Sequence, residues 1–398
     1  MFGLGRNSWL LVLVQPFAMA ISSAIVLTSG FVGKALAPSP QWATLPISLM
    51  VVGLSIGAIP AALLMQRFGR KPIFLAAMLL SSLCSLLAAW AIHQSQFVLF
   101  LLAIAGIGAT LAVVQQFRFA AIEGANHPSL GGRAVSILML GSVAAAVIGT
   151  ETATYGRQLL AVDYAGSYAL LSFSTLIAFV LLLFFKNNPE SAAASQSASH
   201  FPIGAIFKRP TLLIAIAAAS VGYSVMAFVM TATPLAMHEI HLHSLASTKW
   251  VIQSHIMAMY LPSLITGELI RRFGSLKIIY VGLLAFLLTT VVAFAGAEVV
   301  HYWWTLVLLG LGWNFLFIGG TTLLAQNYLP EEKFKIQAIN DFSIFILQAT
   351  ASFAAGAILF AQGWSAIIVI ALIPTVLLIL ALSAYLLRAR TRSAEAPN

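Results

Sequence analysis

Met65-Gln66-Arg67-Phe68-Gly69-Arg70-Lys71-Pro72 is a short cationic stretch between two long apolar segments, with no room for a domain on either side. A turn of this composition belongs at a membrane surface, where its charges stay in water while the flanking segments enter hydrocarbon. The pattern returns as Ile270-Arg271-Arg272-Phe273-Gly274-Ser275-Leu276-Lys277, again with apolar segments on both sides. Two similar turns imply two similar halves. Superposing Gly69 on Gly274 also brings Thr28 onto Thr233 and Ile73 onto Ile278, so the duplication extends beyond the turn.

Composition agrees with that placement. Hydrophobic residues make up 61% of the chain and charged residues 8%, whereas about a quarter of a soluble domain is charged. The apolar runs are long, and in lipid a long run satisfies its backbone as a helix. Runs of about 20 residues or more fall near 9–33, 44–64, 73–92, 97–120, 134–155 and 166–185, then near 210–236, 249–270, 276–296, 302–326, 336–360 and 364–387. The expected fold is therefore an all-α membrane protein of about twelve transmembrane helices in two pseudo-symmetric six-helix bundles. Residues 1–186 form the first bundle, 187–209 a flexible cytoplasmic linker that follows Lys186 and opens Asn187-Asn188-Pro189-Glu190, and 210–398 the second bundle.

A net charge of +9 would suit a nucleic-acid partner, but the basic residues lie mostly on alternate inter-span turns. Lys34, Arg157 and Lys249 alone fall on the opposite side, which places both termini in the cytoplasm and leaves the bilayer as the partner of the charge. The single cysteine, Cys84, lies in an apolar run and excludes an intrachain disulfide. Ala18-Met19-Ala20 resembles a signal-peptidase site, yet the apolar run continues to Gly33, so the first helix reads as retained.

The 65–72 turn resembles the signature loop of the major facilitator superfamily, roughly G-x-L-a-D-R-x-G-R-R/K between the second and third spans. Arg67, Gly69, Arg70 and Lys71 match; Gln66 stands where the pattern has Asp, and Ala62 where it has Gly. The resemblance implies a monomeric carrier of the bacterial inner membrane, with the third, sixth, ninth and twelfth spans facing lipid. Those four segments hold no charge, amide or histidine in their interiors, whereas Gln15, Gln115, Gln116, Arg118, Glu151, Gln253, His255, Asn314 and Gln348 lie in the others. In the family the loop acid meets the start of the eleventh helix as a gating latch, a charge Gln66 cannot supply. Asp341 is expected either to replace it, meeting Arg67 or Arg70, or simply to favour a helix N-terminus. The symmetry mate would join Arg271 or Arg272, beside Gly274, to Glu123, with Glu268 a local partner at helical spacing.

Ala103-Ile104-Ala105-Gly106-Ile107-Gly108 resembles the family's R-x-x-x-G-x-G stretch with Leu102 at the arginine position. Arg118, near the cytoplasmic end, reads as a snorkelling cation or as a coupling residue. Gly141 through Gly149-Thr150-Glu151 looks like the antiporter motif with Thr150 in the usual proline position. Glu151 lies roughly 25 Å up the helix from Ala134 and is either a proton-loading carboxyl or a glutamate in a wet vestibule. His255, at a similar depth, is either a proton-coupling group or a hydrogen-bonded packing residue.

Near the midplane, the candidates for substrate contact are Ser22, Ser23, Tyr223, Met226, Tyr260, Trp313, Asn314 and Gln348. The set mixes aromatic faces, a thioether and neutral amides, which suits a neutral or amphipathic organic solute. His238-Glu239-Ile240-His241-Leu242-His243 invites a metal reading but lacks the H-E-x-x-H spacing, and a solvated loop is preferred. No nucleotide-binding signature, metal site or cofactor is expected. The reading is a secondary transporter working by alternating access, coupled to protons, with efflux favoured over uptake of a metabolite such as a vitamin or siderophore. An intramembrane enzyme or a non-transporting receptor is a remote alternative, since no close pair of carboxylates or Ser/His/Asp grouping is apparent.

Overall fold

The computed structural model describes residues 4–38, 42, 45–187 and 208–395. Most of the expected linker, 188–207, lies outside those residues, as do the side chains of Lys34, Glu239, Lys249, Arg388, Arg390 and Arg392. The described residues form helices joined by turns and loops, with an isolated bridge between Leu4 and Ala125.

In chain order the helices are α1 (Arg6–Leu36), α2 (Leu45–Phe68), α3 (Arg70–His93), α4 (Phe97–Gln115), α5 (Phe117–Glu123), α6 (Gly131–Gly156) and α7 (Ala165–Leu182). They continue as α8 (Pro210–Leu235), α9 (Leu245–Tyr260), α10 (Ser263–Phe273), α11 (Ser275–Ala295), α12 (Val299–Ala325) and α13 (Lys333–Glu395). Among the described residues, ten helical stretches are long and apolar enough to cross a membrane. Two features raise the crossings to about twelve. Helices α9 and α10 form one span interrupted at Pro262, which has no N–H to carry a helix through. The 63-residue α13 is two helices joined at Gly363, whose φ of 81° is not helical.

The paired turns that opened the sequence reading have the same backbone. One residue, Gly69 (φ 81°), separates α2 from α3, and one residue, Gly274 (φ 85°), separates α10 from α11. A reversal this tight needs a positive φ, which glycine adopts without the penalty of a Cβ. The Arg-Phe-Gly spacing shared by the two turns thus has one physical cause.

The chain divides into two compact units. The first comprises Met1–Ser199 with Leu329–Ala349, and the second His200–Tyr328 with Thr350–Asn398. The boundary after Ser199 falls within 187–209, and in addition the start of α13 groups with the first unit. In the first unit α1 packs on α6, α2 on α4 and α3 on α7; in the second α12 packs on α8, α9 and α11. Helices α2 and α4 are in backbone contact: a Cβ at Gly53 would strike the Ala105 carbonyl, and one at Gly108 the Met50 carbonyl. Small residues allow this close approach, which explains Gly108 of the 103–108 stretch, while Gly106 makes room for the Cys84 side chain of α3.

Helices α3, α7 and α11 and the second part of α13 each present exposed apolar rows. Examples are Leu79, Leu83 and Leu86; Phe173, Ile177 and Val180; Val281, Leu284 and Leu288; and Ile373, Leu377 and Leu380. Spacings of three and four residues put each row on one helix face. These elements are the third, sixth, ninth and twelfth crossings, the ones expected to meet lipid.

Candidate functional site

The first unit encloses a charged cluster built by three elements. Lys333, Phe334, Gln337, Asn340 and Asp341 recur at three- and four-residue spacing, so they share one face at the start of α13. The α4–α5 junction supplies Gln115, Gln116 and Arg118, the end of α5 supplies Glu123, and the start of α3 supplies Arg70.

Arg70 takes Glu123 in a fork, Nε to Oε2 at 3.0 Å and Nη2 to Oε1 at 2.6 Å, and also donates to Gln337 Oε1 at 3.1 Å. Lys333 Nζ reaches Glu123 Oε1 at 3.4 Å, and both cations lie over the Phe334 ring, 5.1 and 5.0 Å from its centroid. Deeper in the unit, Arg118 Nη2 donates to Asp341 Oδ1, and each of these side chains is only 1% exposed. Gln116 Nε2 donates to Asp341 Oδ2 at 2.6 Å, and Asn340 Nδ2 to Asp341 Oδ1 at 2.9 Å. Arg118 Nη1 also donates to Gln115 Oε1 at 3.2 Å, and its guanidinium lies 4.7 Å from the Phe119 centroid. Asp341 therefore collects two donors from the α4–α5 junction and one from its neighbour on α13.

Three expectations are corrected here. Asp341 meets Arg118 rather than Arg67 or Arg70, because it lies eight residues past Lys333, about 12 Å along the helix and beyond the surface turn. Glu123 meets Arg70 and Lys333 rather than Arg271 or Arg272, since α5 ends beside the start of α3. Arg118 does not snorkel; it is enclosed and bonded to a carboxylate. Around the turn itself, Gln66 is buried, Arg67 is exposed with its guanidinium 5.2 Å from the Phe68 ring, and Arg271 pairs locally with Glu268, Nε to Oε2 at 2.9 Å. Arg272 lies over Phe273. Lys71 donates from its backbone N to Asn187 Oδ1 at 2.9 Å and from Nζ to the Leu183 carbonyl at 2.7 Å, tying the turn to the end of the sixth crossing.

The second unit gathers four rings. Trp313 lies edge-on to Tyr223 (centroids 5.2 Å apart) and to Tyr260 (5.7 Å), and stacks on Phe317 at 5.2 Å with 17° between planes. Tyr223 and Tyr260 are half-buried, whereas Trp313 is buried and its Nε1 has no hydrogen-bond partner among the described residues. Buried Met226 follows Tyr223 by three residues on α8. Asn314 is committed elsewhere: Nδ2 donates to the Met259 carbonyl and to Ser263 Oγ, each at 2.7 Å, and Oδ1 accepts from Thr266 Oγ1 at 2.6 Å. Its amide holds the interruption between α9 and α10, which is a structural task rather than a solute contact. Ser22, Ser23 and Gln348 belong to the first unit and are half-buried.

Glu151 is exposed on α6, with no bonded partner among the described residues. His255 is fully buried; its Nδ1 donates to the Leu306 carbonyl at 2.7 Å, and its Nε2 has no partner among those residues. In the 238–243 stretch, His238 Nδ1 donates to the His243 carbonyl at 3.0 Å, His243 Nε2 to the Ala297 carbonyl at 2.7 Å, and His241 Nδ1 lies 2.9 Å from the Tyr302 hydroxyl. No group of three metal-ligating side chains is present among the described residues. Gln337, Lys333, Asn340 and Phe317 escaped sequence reasoning. The first three were legible as a polar face at the start of an apolar helix.

Comparison with known proteins adds identity to this geometry. The profile of the Major Facilitator Superfamily matches residues 9–334. The riboflavin transporter RfnT of Brucella anthropi is 35% identical over 366 residues, 91% of each chain. The uncharacterized MFS-type transporter YdeG of Bacillus subtilis is 28% identical over 391 residues, 94% of this chain and 90% of that one. In structure, the chain is similar to the transporter FucP in an outward conformation, with a TM-score of 0.73 at 18% identity over 96% and 98% of the two chains. It is also similar to the proton:xylose symporter XylE, with a TM-score of 0.76 at 12% identity over 94% of each.

Proposed function

Because the chain belongs to the Major Facilitator Superfamily, we propose that it takes up riboflavin or a closely similar flat heteroaromatic vitamin by alternating access. It is a multi-pass integral membrane transporter of a small molecule, not an enzyme. The observation that carries the substrate is its 35% identity to a riboflavin transporter across nine-tenths of both chains. The ring group of the second unit fits that chemistry: Tyr223 and Tyr260 offer partly open aromatic faces backed by Trp313, with Met226 nearby and no charge among them. An uncharged isoalloxazine stacks on such faces, gaining about 0.5–1.5 kcal/mol per aromatic pair beyond the area buried.

Uptake replaces efflux as the preferred direction. A vitamin is useful inside the cell, and Thr150 occupies the proline position of the antiporter-like stretch. The reading includes proton coupling, a monomer in a bacterial inner membrane with both termini cytoplasmic, and gating at the Gln66–Lys71 turn and its counterpart around Gly274. Ser22, Ser23 and Gln348 are proposed as solute contacts of the first unit.

The test is uptake of labelled riboflavin by proteoliposomes under an inward proton gradient. Accumulation above protein-free vesicles, unaffected by excess flavin mononucleotide with its charged phosphate, is the expected result. Riboflavin flux no greater than in protein-free vesicles overturns the substrate assignment.

A further inference from the structure

We propose that Asp341 is a proton-binding carboxyl, and that the amides of Gln116 and Asn340 form a two-way cradle that hydrogen-bonds it in both charge states. The charged state is the one described above, with Asp341 accepting from Arg118, Gln116 and Asn340. Each of these amides also carries an oxygen that is buried and without a hydrogen-bond partner among the described residues, Gln116 Oε1 and Asn340 Oδ1. Leaving two carbonyl oxygens unsatisfied around one carboxylate is costly in a fully buried site. The arrangement gains a purpose if the carboxylate takes up a proton.

A carboxylic acid has an O–H to donate, which an amide N–H cannot accept. Turning either amide about its terminal bond replaces the N–H facing Asp341 by the spare oxygen. An O–H on Oδ2 then donates to Gln116 Oε1 while Oδ1 still accepts from Arg118, and an O–H on Oδ1 donates to Asn340 Oδ1 while Oδ2 still accepts from Gln116. The balance is simple: one proton from the aqueous phase adds to one carboxylate oxygen, no other covalent bond changes, and the cluster becomes more positive by one charge.

The surrounding charges define the setting. Arg118 and Gln115 come from the α4–α5 junction, Asn340 from α13, and Arg70, Glu123 and Lys333 form the adjoining cluster with Gln337. Asp341 is 0% exposed, so its proton exchanges with water only when the pair with Arg118 opens. A proton confined in this way is tied to the movement that opens the pair. Glu151, exposed on α6, lacks any such constraint.

Infrared difference spectra of the full-length protein in lipid, recorded between neutral and acidic pH, test the assignment without reference to any substrate. The expected result is a carboxylic-acid C=O band that grows as pH falls, vanishes in Asp341→Asn, persists in Glu151→Gln, and moves toward the unbonded frequency in a Gln116→Met, Asn340→Leu double variant. Should Asp341→Asn fail to fold beside Arg118, the charge-neutral pair Asp341→Asn with Arg118→Gln serves in its place, and Asp341→Glu restores the band. A band unchanged by loss of Asp341, or no titrating band in the unaltered protein, overturns the proposal. A second arm links it to transport and rests on the riboflavin reading. Asp341→Asn abolishes gradient-driven accumulation while keeping riboflavin exchange across vesicles without a gradient, and accumulation equal to the unaltered protein counts against it.

Discussion

Arg70 and Glu123, 53 residues apart in sequence, are joined by two parallel hydrogen bonds of 3.0 and 2.6 Å, so the surface turn after the second crossing is fixed to the end of the fourth. The fork requires a planar guanidinium, which a lysine ammonium cannot imitate. Arg70→Lys should therefore lower stability by about 1–3 kcal/mol, measured by thermal unfolding in detergent. Lys333→Met, removing a single 3.4 Å contact to the same carboxylate, should cost less. Equal losses would show that the fork has no special weight.

The Arg118–Asp341 pair should respond non-additively to substitution. Removing either partner leaves an enclosed charge without its counterpart, at a cost of about 3–5 kcal/mol, while replacing both with apolar groups of similar volume is often close to neutral. Arg118→Met with Asp341→Leu should accordingly unfold at a higher temperature than either single variant. Additive losses across the cycle would contradict an ion pair.

How far these sites were legible in the sequence depends on the physics of each. The turns at Gly69 and Gly274 announced themselves, because a one-residue reversal between membrane spans needs glycine and sits among surface cations. The exposed apolar rows of the third, sixth, ninth and twelfth crossings were equally readable, since a hydrophilic group facing hydrocarbon is costly. Pairing was not readable. Asp341 could have met any of several arginines, and only the depth of α13 and the position of the α4–α5 junction select Arg118. Asn314 was misjudged for a related reason: a buried amide near the midplane suits a solute as well as it suits a broken helix, and only the carbonyl of Met259 at 2.7 Å decides between them.

That decision is testable. Asn314→Leu removes three hydrogen bonds at the interruption between α9 and α10, each worth about 0.5–1.5 kcal/mol net. Thermal stability should fall while the riboflavin dissociation constant stays within a factor of about 2. Intact stability with a large loss of affinity would return Asn314 to the solute-contact set.

The aromatic group makes the opposite forecast. Tyr223→Leu or Tyr260→Leu should weaken riboflavin binding about tenfold, equivalent to ~1.4 kcal/mol, whereas Tyr→Phe at either position keeps the ring face and most of the affinity. Quenching of flavin fluorescence on binding reads this directly, and unchanged affinity in both leucine variants would remove the rings from recognition.

The assignment of Leu329–Ala349 to the first unit has a bearing on how the protein can be dissected. Expressed alone, a fragment ending before residue 200 would lack Lys333, Gln337, Asn340 and Asp341, leaving Arg118 with no carboxylate and Glu123 with one cation fewer. Such a fragment should be degraded in the cell when produced singly and be rescued by co-production of the remainder of the chain. The twofold repeat of the sequence is thus not a pair of separable folding modules, because the second repeat lends about five helical turns, from Lys333 to Ala349, to complete the first.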